Sequence, residues 1–151
     1  MARSSSSTVL VLNGPNLNLL GSRQPEVYGT STLDDHIAAL NIEAKSHGLV
    51  VEALQSNSAS ELIAEIHRAR GRCAAIIINP GAFTHYAWSI SDALAAFDGP
   101  VVEIHLSNPA ARESWRHVSV IAPVAIGTIA GFGGYGYVLA MKAIATHLAD
   151  A

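Results

Sequence analysis

Short apolar runs alternate along this chain with amphipathic stretches, and that alternation limits the fold more than any other feature. The runs cover residues 9–13, 49–54, 74–78, 101–106 and 125–130. The third is wholly apolar, as expected of a strand buried on both faces. Between them, residues 32–47, 60–70, 88–97 and 135–148 read as helices. In the first helix Leu33, Ile37, Leu40 and Ala44 share one face. Thr32 with Asp35 three positions later resembles a capping box, and Gly48 stands where the helix stops. Five strands with helices between them predict an α/β fold: a five-stranded parallel sheet with helices on both faces. Ligands bind such sheets beyond the carboxyl ends of the strands.

At 151 residues the chain is long enough for one domain, 1–151, with residues 1–7 expected as a disordered tail. Half of the residues are hydrophobic and 14% are charged, enough apolar material for a packed core. The net charge is −3 and no cationic run stands out, so no nucleic-acid partner is expected. The apolar run after the polar N-terminus is too short for a signal or membrane segment, so the expectation is no membrane association and a cytoplasmic location. The single cysteine, Cys73, precedes an apolar run and is expected as a buried structural thiol.

Three strand ends carry polar clusters, and the sheet should bring them to one rim. They supply Asn16, Arg23 and Tyr28; Asn79 and His85; and Glu103, His105, Arg112 and Arg116. A free tyrosine is a weak base at neutral pH, but a neighbouring arginine favours its phenolate. Glu103 and His105 fall on one face of a strand, so the carboxylate can orient the imidazole as a general acid. A base and an acid without a nucleophile suggest proton abstraction and elimination on a small anionic substrate. Taken singly, each residue has a plainer reading: turn asparagines, a packing tyrosine, surface arginines, a satisfied core histidine.

The same segments resemble the type II 3-dehydroquinate dehydratases. LNGPNLNLLG with Arg23, Pro25 and Tyr28-Gly29 matches the family's pattern, as does INPGA-x-TH followed by Asp92. E-x-H-x-SN with two later arginines, and GFG-x-x-GY, complete it. The resemblance implies a flavodoxin-like fold and anti elimination of water from 3-dehydroquinate to 3-dehydroshikimate, through an enolate, in shikimate biosynthesis or quinate breakdown. It implies no cofactor and no metal. It makes Tyr28 the base at C2, with Arg23 favouring its ionised form, and gives Asn16 a water that faces the enolate oxygen. His105 becomes the acid for the C1 hydroxyl, with Glu103 orienting it and Asn79 touching that end of the substrate. Backbone amides of Leu106 and Ser107 hold the carboxylate, and His85 and Arg116 bind ring hydroxyls. Arg112 belongs to a lid that closes with the loop of Arg23 and Tyr28. Asp92 reaches a neighbouring subunit's site, implying trimers and a homododecamer, a tetramer of trimers.

Some positions depart from the family's usual residues: Pro109 and Ala110; Tyr86, Ala87 and Trp88; and Ser58-Ala59-Ser60. Residues 131–136 formally match a dinucleotide fingerprint, but no strand and acidic residue follow, so these glycines are expected to allow close packing at the last helix. The histidines show no zinc spacing. A Schiff-base route would need a lysine, and only Lys45 and Lys142 exist, both in expected helices. The alternative class is a flavodoxin-like module that binds a small ligand without catalysis.

Overall fold

The computed structural model describes residues 6–151. Most of the expected tail, residues 1–5, lies outside the described residues. Ser7 is already tied to the sheet, its carbonyl accepting from the Val50 N–H at 2.9 Å. The elements in chain order are β1 (Thr8–Asn13), α1 (Pro25–Tyr28), α2 (Leu33–Ser46), β2 (Val50–Gln55), α3 (Ala59–Ala69), β3 (Ala75–Asn79), α4 (Trp88–Ala95), β4 (Val101–His105), β5 (Gly127–Ala130) and α5 (Tyr135–Asp150). All strand pairs are parallel, in the order β2-β1-β3-β4-β5. That is the flavodoxin-like order, with its switch point between β1 and β3.

The period of two along each strand divides the core. On one face Leu10, Leu12, Ile76, Ile78 and Val101 pack against Leu62 and Ile66 of α3 and Ile90 and Leu94 of α4. On the other, Val9, Val11, Ile77, Val102 and Ile104 pack against Leu40 and Ala44 of α2 and Tyr137, Met141 and Ile144 of α5. β1, β3 and β4 are thus covered on both sides. The flanking strands differ from the sequence expectation: β2 and β5 are sheet edges with residues such as Val50, Glu52 and Thr128 exposed.

The helix boundaries have local causes. Thr32 caps α2 through a complete capping box, and Gly48 leaves it with φ of 71°. Ser58 accepts the Glu61 N–H at the start of α3, so the departure at 58–60 is a working N-cap. α4 ends at Ala95, short of the expected 97, in a final turn where the Ala96 and Phe97 N–H groups still bond backwards. Cys73 is buried as expected, and burial pushes its thiol up. Among the described residues no helix is long and apolar enough to cross a membrane.

Candidate active site

The rim forms where β1, β3 and β4 end side by side. Gly14 permits this closeness: a Cβ there would lie 2.4 Å from the Pro80 carbonyl oxygen. The backbone turns sharply at Asn16, whose φ is 69°, a conformation asparagine tolerates better than most residues. Its N–H donates to Asn57 Oδ1 at 3.0 Å. One cleft at this rim is lined by Asn16, Arg23, Tyr28, Asn79, His85, His105, Leu106, Ser107, Arg112 and Arg116. Ten of the twelve expected site residues therefore meet.

Glu103 is the eleventh and stands behind the wall, with no exposed surface. Its Oε2 lies 2.6 Å from His105 Nε2. Thr84 Oγ1 also donates to it, and Ser119 Oγ approaches its two oxygens at 2.9 and 3.0 Å. Burial opposes the charge of this carboxyl. Hydrogen bonds from His105, Thr84 and Ser119 outweigh burial and hold it below the usual carboxylate range. Because the carboxylate accepts, His105 presents a protonated Nε2 to it. Ser119 is itself held by the N–H groups of Ile121 and Ala122.

Tyr28 is mounted differently. It ends α1, one turn long, entered through Gln24 at φ 39° and left through Gly29 at φ 81°. The guanidinium of Arg23 lies 4.9 Å from the ring centroid, and that of Arg112 lies 5.4 Å from it. Arg112 Nη1 donates to the Tyr28 hydroxyl at 3.1 Å and to Ser107 Oγ at 3.0 Å. The sequence singled out Arg23 as the tyrosine's partner; Arg112 makes the direct bond. The cleft behind this pair is about 80 Å³, small beside the ~300–1,000 Å³ usual for ligand sites. An open space of about 510 Å³ lies against the same Tyr28, Ser107 and Arg112. The pair thus partitions the rim.

His85 Nδ1 donates to the Val118 carbonyl at 2.7 Å, which leaves Nε2 as its free ring nitrogen. Its ring meets Trp115 edge-on, and Arg116 stacks on that indole at 3.9 Å while pairing with Glu113. The Ser107 N–H has no acceptor among the described residues. Pro109 lines the cleft, and Asn108 caps its turn through Ala110.

The family model described as dehydroquinase class II matches residues 7–145. The chain belongs to the class II dehydroquinase family. A protein of Ruegeria pomeroyi named 3-dehydroquinate dehydratase is 54% identical over 142 residues, covering 94% of this chain and 95% of that one. One of the same name from Halalkalibacterium halodurans is 51% identical over 137 residues, covering 91% and 94%. The crystal structure of type II dehydroquinase from Propionibacterium acnes has a TM-score of 0.87 at 44% identity, covering 96% of this chain and 99% of that one. That from Butyrivibrio crossotus reaches 0.89 at 41%, covering 93% and 98%.

In this dehydroquinase chain the twelfth residue, Asp92, sits on the exposed side of α4, outside the cleft. Neither Lys45 nor Lys142 lines the cleft, and Lys142 pairs with Glu43. Among the described residues no group of three or more His, Cys, Asp or Glu is placed to hold a metal ion. The sequence reading missed Ser119 and left Thr84 without a role. Thr84 is next to a singled-out residue, but Ser119 lies in an irregular loop whose pattern gives no signal. Of the glycines at 131–136, Gly134 serves packing, since a Cβ there would collide with the His36 ring at 2.0 Å, whereas a Cβ on Gly133 would meet nothing within 4 Å.

Proposed function

We propose that this chain removes water from 3-dehydroquinate by proton abstraction at C2, an enolate, and protonation of the departing C1 hydroxyl, giving 3-dehydroshikimate by anti elimination. As a dehydroquinase it is a hydro-lyase. The observation that carries the finer reading is the meeting, in one cleft, of a phenol bonded to a guanidinium and an imidazole bonded to a buried carboxylate.

Tyr28 is the base. Arg112 donates to its oxygen and the Arg23 guanidinium lies over its ring, so positive charge faces the atom that takes the proton. Asn16, exposed at the rim, holds a water against the enolate oxygen and so stabilises charge as it develops. His105 is the acid, fixed in position by Glu103. The unpaired Ser107 N–H and its neighbour at Leu106 take the substrate carboxylate. His85 Nε2 and Arg116 take ring hydroxyls, and Asn79 the hydroxyl end. The small cleft requires Arg112 and the loop of Tyr28 to part for substrate entry, which makes them a lid.

We further propose a cytoplasmic homododecamer built from trimers, with Asp92 completing a neighbour's site. Exposed Tyr86, Trp88, Trp115 and Val118 support an apolar subunit contact. The reaction serves aromatic biosynthesis or quinate breakdown.

The test is direct. Purified protein mixed with 3-dehydroquinate and a chelator, with no cofactor, should raise ultraviolet absorbance as the conjugated enone forms. Borohydride added with substrate should leave activity intact. Folded protein that produces no enone would overturn the reading, and so would a trapped lysine adduct. A binding module without catalysis would give binding and no enone.

A further inference from the structure

Below the cleft lies a buried polar cluster of which the proposed chemistry uses only Asn79. It joins Asn13 at the end of β1, Asn79 at the end of β3 and Tyr137 in the first turn of α5. Their exposures are 0%, 2% and 0%. Tyr137 packs in the apolar core under α2 and α5, where every polar atom needs a partner.

The hydrogen bonds form one chain, and its direction is fixed from one end. The backbone carbonyl of Leu54 can only accept, so Asn13 turns its Nδ2 towards it at 3.2 Å. That places Asn13 Oδ1 against Tyr137, whose hydroxyl donates to it at 2.6 Å. A phenol has one hydrogen, now used, so its oxygen can only accept from the next member. Asn79 Nδ2 supplies that donor at 3.2 Å, while Asn79 Oδ1 accepts the Gly81 N–H at 3.4 Å. The second hydrogen on Asn79 Nδ2 has no protein acceptor among the described residues, and Asn79 lines the cleft.

The geometry points to Tyr137 as a positioning residue that holds the Asn79 carboxamide in one orientation, with an N–H rather than a carbonyl offered to a substrate oxygen. This rests on the reading that the cleft receives 3-dehydroquinate. Turned over, Asn79 would set its oxygen against a phenol oxygen whose only hydrogen is committed, leaving two buried acceptors face to face. Burial drives the ionisation of Tyr137 far above the ordinary phenol value against the hydrogen bond from Asn79, so the group stays a donor at any working pH. A donor at the hydroxyl end of the substrate strengthens as that oxygen gains electron density on leaving, whereas a carbonyl there would repel it.

Tyr137→Phe removes the hydroxyl and keeps the ring, including its stack on His36 at 5.8 Å. Four proteins form the test: wild type, Tyr137→Phe, Asn79→Ala and the double variant. Tyr137→Phe should lower kcat/KM about tenfold, the effect of one well-placed hydrogen bond. In the Asn79→Ala background it should change kcat/KM no further. A merely structural tyrosine would affect stability in both backgrounds and add its cost to that of Asn79→Ala. Wild-type kcat/KM in Tyr137→Phe, or additive losses, would overturn the inference while turnover in the wild type leaves the proposed function standing. Calorimetric titration with 3-dehydroshikimate reads the same coupling without turnover; a wild type that neither binds nor turns over would overturn both. Should Tyr137→Phe fail to fold, Asn13→Ala breaks the chain one link earlier. The same loss, absent beside Asn79→Ala, is expected, and full activity would overturn the inference.

Discussion

The two halves of the proposed acid–base pair are built in opposite ways. His105 ends a central strand, and its partner Glu103 is fully buried under hydrogen bonds from Thr84 and Ser119. Tyr28 ends a four-residue helix between two positive-φ residues and is held by arginine side chains. The proposed acid is therefore anchored in the core through Glu103, and damage to that anchor reaches the fold. The proposed base sits on a one-turn helix between positive-φ residues, and loss of its hydroxyl should reach turnover alone. Such a division suits a site that must open for substrate yet present an exact imidazole geometry once closed.

The strongest way to break this contrast is Tyr28→Phe. Turnover should fall by about 10²–10⁴, the usual weight of a general base, with the unfolding midpoint unchanged. Near-native kcat would remove Tyr28 from the mechanism, and a large loss of stability would remove the claim that it stands outside the core. On the other side, Glu103→Ala leaves His105, Thr84 and Ser119 facing an empty place. It should cost about 3–5 kcal/mol in denaturant unfolding, in addition to activity. A stability change like that of an exposed site would contradict its place in the core.

The same carboxyl gives a pH signature. Its folded value is lowered, so its stabilising contribution is complete above the unfolded carboxyl range and disappears as pH falls towards the folded value. Glu103→Gln should flatten the acid limb of stability against pH; an unchanged limb would show that other carboxyls set it. Arg112→Ala should then lower kcat/KM about tenfold through loss of its bond to Tyr28, with little change in midpoint. Ser119→Ala should have the smallest effect, about 1 kcal/mol in stability and a fewfold loss in kcat. A larger effect for Ser119→Ala than for Glu103→Ala would place the anchor of His105 in the wrong residue.

The contrast also explains what could be read from sequence. Val9 to Leu12 and Ala75 to Ile78 announce a buried sheet because apolar side chains on both faces leave no other packing. The motif residues of the rim were legible because each lies in the last residues of a strand or in the loop that follows it. α1 was not, since four residues cannot show helical periodicity and its limits are set by backbone angles at Gln24 and Gly29. The bond from Arg112 to Tyr28 spans 84 positions and that from Ser119 to Glu103 spans 16, and no local pattern encodes either. The exposure of β2 and β5 depends on strand order, which the alternation of runs leaves open.

The measurement that bears most directly on the division of labour is hydrogen exchange at C2 of 3-dehydroquinate in deuterated buffer. His105→Asn keeps a donor for Glu103 and lacks the proposed acid, whereas Tyr28→Phe lacks the proposed base. His105→Asn should exchange C2 hydrogen above the buffer background while forming little enone, because its enolate returns to ketone. Tyr28→Phe should do neither. Exchange by Tyr28→Phe with none by His105→Asn would contradict a base on the lid and an acid on the strand.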